Sequence, residues 1–367
     1  MSTNKDTVYL EMAYGLAEKA KGWSSPNPYV GAVIEKNRRI IGTGFHKKPG
    51  NPHAEVIALK KAGTQARNAT AYITLEPCVH WGRTPPCVDS LIHAGIKRVV
   101  VSALDPNPLV HKKGIQKLRH AGLQVSVGLL EEKNARLNEI YNKYIRQKMP
   151  FVTAKVAASL DGKVATKTHD SRWITSSQTR KYTHLLRGEH MALMVGINTL
   201  LNDDPRLTIR HPLWRNKQLI RVIIDSRLRF PLGARLLKTG TKGRILVFTQ
   251  QSQTSQKAQE LRKRGVEIIS VRSNRSGRLD LHKILAWLGQ NEISSVMAEG
   301  GALLLTSLFE NQLVDKFFIT FSPKLIGGEK APTFFEGKGF TTVAQSIRLK
   351  NKNCISIGKD IILEGYL

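Results

Sequence analysis

One histidine, one glutamate and two cysteines near the start of the chain have the types and spacing of a catalytic metal centre. His53 and Glu55 stand two residues apart, and Cys78 and Cys87 follow, the first directly after a proline. One histidine and two cysteines supply the three protein ligands of a catalytic zinc site and leave the fourth position for water. Zinc makes bound water acidic enough to react near neutral pH. The sequence therefore predicts a Zn²⁺ ion held by His53, Cys78 and Cys87.

Glu55 has the chemistry of a proton carrier beside such a metal. Water that attacks a ring carbon bearing an amino group must lose a proton, and the departing ammonia must gain one. A carboxylate next to the metal can move it, and H-x-E followed by P-C is the signature of zinc base deaminases. Taken singly, a cysteine is most often a buried apolar residue. The prediction therefore rests on the set, and Cys354, which has no such partners, is interpreted as structural.

The elements that carry these residues explain how they can meet. Residues two apart on a helix do not share a face. His53 and Glu55 therefore reach one metal only from the first turn of a helix, and Pro52 favours a helix that begins there. Cys78 follows a predicted strand. Cys87 opens the next predicted helix, whose N-terminus stabilises a thiolate.

Apolar periodicity predicts an alternation of helices and strands along the whole chain. The predicted helices span 7–20, 52–62, 88–94, 114–120, 131–146, 178–187, 254–264, 280–288 and 303–310. The predicted strands span 29–34, 40–45, 69–75, 98–102, 124–128, 152–157, 192–196, 219–225, 245–249, 266–271, 295–298, 316–321 and 361–365. This alternation is typical of α/β domains whose parallel or mixed sheets are covered on both faces. A charged helical stretch ends near Pro150, which predicts a first domain over 1–149 and a second over 150–367.

The composition restricts the class of protein and its partners. The chain has 367 residues, with 57 Lys and Arg against 28 Asp and Glu, a net charge of +29. Such a balance fits nucleic acid, phosphorylated small molecules or a basic proteome, and the scattered basic residues without an aromatic stripe do not favour nucleic acid. No signal peptide or membrane-length apolar run is found, and the three cysteines suit a reducing compartment. We therefore expect a cytoplasmic protein without a membrane partner.

The segment from Pro77 to Cys87 is more particular than the general deaminase signature. Eight residues, among them Gly-Arg-Thr-Pro-Pro, separate its two cysteines, where zinc motifs commonly place two to four. With this insertion the chain resembles the bifunctional deaminase/reductase family of riboflavin biosynthesis, over nearly its whole length. The resemblance continues in Ala157–Gly162, Ser171–Thr175, Gly196–Pro205 and Glu299–Gly301.

The resemblance implies a cytidine-deaminase-like three-layer N-terminal domain and a dihydrofolate-reductase-like C-terminal domain. The first would convert 2,5-diamino-6-(5-phosphoribosylamino)pyrimidin-4(3H)-one to 5-amino-6-(5-phosphoribosylamino)uracil by zinc-dependent hydrolysis. The second would use NADPH to reduce the ribosyl group, in its opened imine form, to ribityl. Both substrates carry a phosphate, which agrees with the basic composition. The resemblance also implies a homo-oligomer, either a dimer or a tetramer.

The resemblance also assigns substrate residues in the first domain. Asn27, together with Asp105 or Asn107, would bind the pyrimidine. Arg83 would bind the phosphate, and His46 and His80 are further candidates near the phosphate. Asn27 stands between two prolines, and a turn role is equally consistent with that position. As a fourth zinc ligand, His80 would close the site to water and prevent catalysis.

In the second domain the resemblance assigns three groups of residues. The catalytic candidates are Lys155, Asp203 and Glu299, and one of them would protonate the imine nitrogen during hydride transfer. The substrate candidates are Ser171, Arg187, Leu207, Arg210 and Glu299, and the two arginines suit a phosphate. The cofactor candidates are Ala157, Trp173, Thr199, Asp203, Ser226, Gly300 and Gly301. No G-x-G-x-x-G motif occurs, so a Rossmann site is not predicted.

Three alternatives follow from the same residues. A nucleic-acid-editing deaminase with an RNA-binding C-terminal domain would explain the zinc motif and the charge but not the motifs of the second half. A protein with a structural zinc site would have four protein ligands and would tolerate Glu55→Gln. A bifunctional chain could also have lost one activity, although neither half lacks a motif. Without the family resemblance, the residue types of Asp203-Asp204-Pro205 favour an ordinary solvent-exposed turn.

Overall fold

The computed structural model describes residues 4–81, 85–238, 243–274, 277–337 and 339–367. The chain divides into two compact units, Met1–Lys148 and Met149–Leu367. Each unit is built on its own β-sheet. Within the described ranges, no helix is long and apolar enough to cross a membrane.

The first unit has three layers around a mixed sheet. Its helices are α1 (Asn4–Ala17), α2 (Ala54–Ala62), α3 (Cys87–His93), α4 (Lys113–His120), α5 (Glu131–Leu137) and α6 (Glu139–Gln147). Its strands are β1 (Gly31–Lys36), β2 (Arg39–Phe45), β3 (Thr70–Ile73), β4 (Arg98–Val101) and β5 (Gln124–Val127). The sheet order is β2-β1-β3-β4-β5. Strand β1 is antiparallel to both neighbours, and β3, β4 and β5 are parallel. Helices α2, α3 and α4 cover one face and α1 the other.

Two glycines of β2 let helix α2 lie directly on the sheet. A Cβ atom at Gly42 would stand 2.2 Å from the Ala58 carbonyl oxygen, and one at Gly44 would stand 2.1 Å from the Ala54 carbonyl oxygen. No side chain fits at such distances. The two glycines therefore fix where α2 begins, and its first turn carries His53 and Glu55.

The second unit is a larger, mostly parallel sheet. Its helices are α7 (Ser177–Glu189), α8 (Ile197–Asp203), α9 (Gln256–Lys263), α10 (Leu281–Gln290) and α11 (Ala302–Glu310). Its strands are β6 (Phe151–Ser159), β7 (Ala192–Gly196), β8 (Ile220–Ile224), β9 (Ile245–Thr249), β10 (Val266–Ser270), β11 (Ser295–Glu299), β12 (Lys316–Ser322), β13 (Lys350–Ile357) and β14 (Asp360–Tyr366). The order is β10-β9-β8-β7-β11-β6-β12-β14-β13.

The strand order of the second sheet predicts where a ligand would bind. Strands β6 to β12 are parallel in this sheet, and β14 pairs antiparallel with both β12 and β13. Strand β11 lies between β6 and β7, although it follows both in the chain. Ligands of open α/β sheets bind beyond the carboxyl ends of the strands where the order reverses. A ligand site is therefore expected where β6, β7 and β11 end.

Most predicted elements occur within a few residues of their expected positions, with four corrections. Helix α8 was not predicted, so Asp203 ends a helix rather than lying in a simple turn. Strand β13 was missed because six of its eight residues are exposed, which removes the apolar alternation. The predicted helix 131–146 is two helices, and α2 begins at Ala54 rather than Pro52.

Candidate functional site

Three ligand atoms of the first unit converge as the sequence predicted. The donor atoms of His53, Cys78 and Cys87 all lie within 4.8 Å of one another. The His53 Nδ1 atom is 3.0 Å from Cys87 Sγ and 3.6 Å from Cys78 Sγ. A tetrahedral zinc ion with ordinary Zn–N and Zn–S lengths requires N···S separations of roughly 3.5 Å. The donor set therefore fits zinc and leaves one position for a non-protein ligand.

Helix N-termini hold these ligands in place. His53 is the N-cap of α2 with an extended backbone, and Glu55 lies in the first turn of that helix. Cys87 is the first residue of α3, and its backbone N–H donates to Cys78 Sγ over 3.4 Å. Their spacing along the sequence predicted this arrangement, because only the start of a helix brings residues two apart to one ligand.

Glu55 is buried, and its acidity is altered accordingly. Only 4% of the residue is exposed. Burial raises the pKa of Glu55 to about 6, because the ionised carboxylate loses hydration. The Cys78 pKa is lowered because the Cys87 thiol and His53 donate hydrogen bonds to its sulfur. A thiolate ligand and a carboxyl that can change protonation near neutral pH therefore lie side by side.

A buried histidine holds Asn27 at the edge of this centre. His46 is 3% exposed, and its Nδ1 is 3.3 Å from the Pro52 carbonyl oxygen. The His46 Nδ1–H group therefore donates to this carbonyl oxygen, and Nε2 accepts from the Asn27 side-chain amide at 3.0 Å. Burial lowers the pKa of His46, so the ring is neutral. The placement of His46 near the phosphate stays a prediction, and its contact with the amide nitrogen fixes the direction of the Asn27 Oδ1 atom.

Asp105 lies beneath the same site in a hydrogen-bond network. Its Oδ1 accepts from the backbone N–H of Asn107 and from the Tyr141 hydroxyl, both at 2.8 Å. Burial raises the pKa of Asp105 to about 6. Sequence reasoning missed Tyr141, which belongs to helix α6 and lies 36 residues from its partner. No local motif marks such a contact.

Glu76, just before Pro77-Cys78, was also missed. Its carboxylate accepts from the backbone N–H groups of Asp105, Lys112 and Ile115 at 3.0–3.2 Å. The residue is 3% exposed, so it ties the segment before Cys78 to the end of β4. A Glu-Pro-Cys sequence was the available signal, and only its Pro-Cys half was used.

The remaining phosphate candidates of the first unit can be placed only in part. Arg83 lies outside the described residues. The Nδ1 atom of His80 is buried without a hydrogen-bond partner among the residues that the structure describes. His80 is not one of the three clustered ligands, which agrees with the expectation that it does not close the metal site.

In the second unit a cavity of about 1310 Å³ opens at the expected edge of the sheet. It exceeds the usual volume of small-molecule sites, so it can hold a dinucleotide together with a second ligand. Of the predicted residues, it is lined by Lys155, Ala157, Ser171, Arg187, Thr199, Asp203, Leu207, Ser226, Glu299, Gly300 and Gly301. Trp173 and Arg210 do not line it.

Lys155 and Glu299 form the centre of this cavity. They are register partners on the adjacent parallel strands β6 and β11, so their side chains share a face. Arg187 donates to both carboxylate oxygens of Glu299, from Nε at 2.7 Å and from Nη2 at 2.6 Å. Burial alone would raise the pKa of Glu299, but the Arg187 charge outweighs it and lowers the pKa to about 2. Burial lowers the pKa of Lys155.

The bidentate pair engages the side chain of Arg187. Its guanidinium is occupied by Glu299 and also donates to the Thr208 carbonyl oxygen at 3.0 Å. The sequence did not predict this pairing, and the contact of Arg187 with the substrate phosphate stays a prediction. Arg210 is exposed and donates to the His184 ring, whose pKa burial lowers to about 4. Arg210 is the less neutralised of the two arginines.

The glycine turn predicted for the cofactor lines the same cavity, whereas Trp173 lies outside its lining. Gly300 and Gly301 have φ angles of +68° and +77° and precede α11. A Cβ atom at Gly301 would stand 3.3 Å from Thr199 Oγ1, so the turn is both strained for other residues and tightly packed. Trp173 is 60% exposed and stacks under Arg180, with a centroid distance of 4.3 Å. The turn, with its helix N-terminus, fits a cofactor phosphate.

Two family models match the chain in the order of the two units. The model described as the cytidine and deoxycytidylate deaminase zinc-binding region matches residues 3–103. The model described as the RibD C-terminal domain matches residues 150–363. Fold and sites thus define a zinc-dependent deaminase joined to an NADPH-dependent reductase, as the sequence predicted.

Full-length relatives give the family. The riboflavin biosynthesis protein RibD of Aquifex aeolicus is 42% identical over 358 residues, covering 98% of this chain and 97% of that protein. The protein of the same name from Escherichia coli is 37% identical over 370 residues, covering 98% of each. The chain belongs to the RibD family of bifunctional riboflavin biosynthesis enzymes.

Solved structures agree with this assignment. Acinetobacter baumannii RibD, form 2, has a TM-score of 0.87 and 38% identity, covering 99% of this chain and 98% of that one. A diaminohydroxyphosphoribosylaminopyrimidine deaminase/5-amino-6-(5-phosphoribosylamino)uracil reductase from Thermotoga maritima has a TM-score of 0.86 and 35% identity, covering 98% of both chains. The predicted pairing of a cytidine-deaminase-like fold with a reductase fold is therefore confirmed.

Proposed function

We propose that residues 1–149 deaminate 2,5-diamino-6-(5-phosphoribosylamino)pyrimidin-4(3H)-one and that residues 150–367 reduce the product to its ribityl form. The observation that carries the proposal is the contrast between two centres. One has a zinc-type donor triad beside a buried glutamate of raised pKa. The other has a lysine paired in register with a glutamate at the mouth of a large cavity.

In the first unit, Glu55 is proposed to move the proton. A zinc ion held by His53, Cys78 and Cys87 would make water in the site acidic near neutral pH. Glu55 takes one proton as the water oxygen bonds to the ring carbon and gives it to the adjacent ring nitrogen. It then takes the remaining proton of that oxygen and gives it to the amino nitrogen as the carbon–nitrogen bond breaks. Ammonia leaves, and the ring carbon keeps the oxygen as a carbonyl. The pKa of about 6 allows both steps near neutral pH.

Asn27 and Asp105 are proposed to orient the pyrimidine. His46 holds the Asn27 amide nitrogen, which leaves its carbonyl oxygen to accept from a ring N–H or amino group. Tyr141 and the Asn107 backbone hold one oxygen of Asp105. Both side chains are therefore preorganised, which lowers the entropic cost of binding.

In the second unit, Lys155 is proposed as the proton donor for reduction. Bound NADPH would supply a hydride for the imine carbon, and the imine nitrogen must then take a proton from the protein. Glu299 stays ionised through Arg187 and has no proton to give. Asp203 is exposed at the end of α8. Lys155 is partly buried, which lowers its pKa, and it lies beside Glu299, whose negative charge opposes that shift and also stabilises a protonated imine.

A group of cations beside the cavity is proposed to bind the substrate phosphate. Arg206 and Arg210 are exposed and lie close in sequence to Leu207, which lines the cavity. Burial lowers the pKa of Arg210, and the positive charges of Arg187, Arg206 and Arg180 lower it further. These cations therefore lie close to one another. A dianionic phosphate relieves such repulsion.

Mass spectrometry of the products tests the two assignments separately. Deamination exchanges an amino group for oxygen, whereas reduction adds two hydrogens. Zinc-loaded protein with substrate and NADPH should give both changes. Lys155→Met should stop after the first change, and Glu55→Gln should stop before it while still reducing added deaminated intermediate. Reduction by Lys155→Met at the wild-type rate would refute the donor assignment.

We also propose a cytoplasmic homo-oligomer. Three free cysteines, with Cys354 exposed, agree with a reducing compartment. Large apolar side chains of the second unit are exposed at Leu325, Phe340 and Val343, and contact with a second copy of the chain would cover such side chains. Light scattering should give the mass of a dimer or tetramer, and a monomer at micromolar concentration would refute the proposal.

A further inference from the structure

The cavity of the second unit has an arm that the reaction centre does not use. It runs past the carboxyl ends of β8 and β9, where Ser226, Arg227, Gln250 and Arg278 line it. The Gln250 backbone N–H donates to the Ser226 carbonyl oxygen at 3.1 Å, and its side-chain amide donates to the Gly277 carbonyl oxygen at 2.8 Å. The two strand ends and the segment before α10 therefore form one continuous wall.

The arginines of this wall are not neutralised by acids. Within the described part of the chain, Arg227 is exposed and forms neither an ion pair nor a side-chain hydrogen bond. Arg278 is exposed and donates through Nη1 to the Ser307 hydroxyl at 3.2 Å. A third arginine, Arg229, is held by the Asn198 side chain at 2.6 Å. Unpaired cations along a cavity wall fit an anionic group of the bound ligand.

The acid at the end of β8 is turned away from the cavity. Asp225 is fully buried, and its Oδ2 accepts from the Phe230 backbone N–H at 2.8 Å. It does not line the cavity. Dinucleotide sites that hold an unphosphorylated adenosine ribose place such a carboxylate on its 2′-hydroxyl, whereas an arginine accommodates a 2′-phosphate. Here the carboxylate is withdrawn and arginines face the cavity instead.

The distance across the sheet agrees with a dinucleotide that spans the cavity. Lys155 is on β6 and Ser226 follows β8, with β11 and β7 between these strands. Three strand spacings separate the two ends by about 14 Å. The Gly300–Gly301 turn follows β11, so it lies between the ends, where the diphosphate of an extended cofactor would pass.

We propose that Arg227 and Arg278 bind the 2′-phosphate of the cofactor and thereby set a preference for NADPH over NADH. This inference rests on the proposed reductase function of residues 150–367. It adds the residues that discriminate between the two cofactors, at the far end of the cavity from the hydride transfer.

The test uses the full-length protein supplied with deaminated intermediate. Arg227→Gln and Arg278→Gln each lower kcat/KM for NADPH roughly tenfold through KM, equivalent to about 1.4 kcal/mol. The double variant loses more, and kcat/KM for NADH stays within about twofold in all three. Retained NADH turnover shows that the variants are folded. Arg235→Gln removes the same charge from an exposed residue outside the cavity wall and leaves both cofactors unaffected.

Calorimetry with 2′,5′-ADP separates this inference from the proposed reductase function. Wild-type protein should bind 2′,5′-ADP more tightly than 5′-AMP, and the double variant should lose that difference. Equal losses for NADPH and NADH, or none, would overturn the assignment. If wild-type protein oxidises neither cofactor while 2′,5′-ADP binding still depends on both arginines, the phosphate site stands and the proposed reduction fails.

Discussion

Each unit has one glutamate at its reaction centre, Glu55 fully buried and Glu299 largely so, and the pKa values of the two carboxyl groups are shifted in opposite directions. Among the described residues no lysine or arginine forms an ion pair with Glu55, and burial raises its pKa to about 6. Glu299 is held by both arms of Arg187, which lowers its pKa to about 2 despite burial. The first glutamate can exchange a proton near neutral pH, whereas the second is a permanent charge. Residue type alone therefore does not give the role, and the neighbouring cation decides it.

The comparison also concerns how each site is built. The first centre joins residues from two helix starts and one loop, and all its metal ligands fall within 35 residues of one another. The second joins β6, β7, β8, β11 and α7, over a cavity of about 1310 Å³. The three metal-donor atoms of the first site lie close together and determine its chemistry. The chemistry of the large cavity depends instead on which of its charged side chains are paired with one another.

The largest expected effect comes from Glu55→Gln. Loss of a general acid–base should reduce ammonia release by about 10²- to 10⁴-fold. Zinc content, measured by elemental analysis, should stay at one per chain, and reduction of added deaminated intermediate should be unchanged. Unimpaired deamination would favour the structural-zinc interpretation and remove the contrast between the two glutamates.

Glu299→Gln should damage the second unit in a different way. The substitution leaves the Arg187 guanidinium partly buried without its counter-charge, which costs about 3 kcal/mol of unfolding free energy. Chemical denaturation measures this loss, and reduction should also fall while ammonia release stays. The double variant Glu299→Gln/Arg187→Gln should regain stability but not reduction. If the double variant is as unstable as the sum of the singles, the pair does not act as a unit.

The pH dependence should separate the two activities. As pH falls from 7 to 5, protonation of Glu55 through its pKa of about 6 should lower deamination about tenfold. The folded-state pKa of Glu299 is depressed, so its stabilising pair is fully present above pH 4.5 and is lost only as pH falls through about 2. Reduction of preformed intermediate should therefore change much less. Parallel decline of both rates would contradict the opposite tuning.

A smaller effect is expected from Tyr141→Phe. The variant removes one hydrogen bond to Asp105, worth about 1 kcal/mol, so KM for deamination should rise about fivefold. The value of kcat and the zinc content should change little, because Tyr141 is not a metal ligand. Tyr144→Phe, on the same helix α6, is the matched control. A fall in kcat alone would place Tyr141 in the proton path rather than in substrate positioning.

The sequence predicted the metal centre well because its geometry is local. His53 and Glu55 need only the first turn of a helix, and Cys87 needs only the start of another. The contacts made by Tyr141 and Glu76 were not predicted, because they join distant segments through side chains that belong to no motif. Sequence reasoning also gave Arg187 to a phosphate, since the Glu299 partner is 112 residues away.

The same limits explain the fold. Buried strands such as β7 and β9 were predicted with their observed bounds, because every position or nearly every position is apolar and buried. Strand β13 was missed because it is an exposed edge strand whose pairing with β14 alone defines it. Pairing at an edge follows from the tertiary structure, which local hydropathy does not record.

The most direct test of the account follows ammonia and NADPH together on purified, zinc-loaded protein given the diaminopyrimidinone substrate. We expect ammonia release with and without NADPH, and NADPH consumption that begins only after a lag set by deamination. Adding deaminated intermediate should abolish that lag. NADPH consumption that precedes ammonia release, or ammonia release without any NADPH consumption, would contradict the claim that this chain performs both steps in this order.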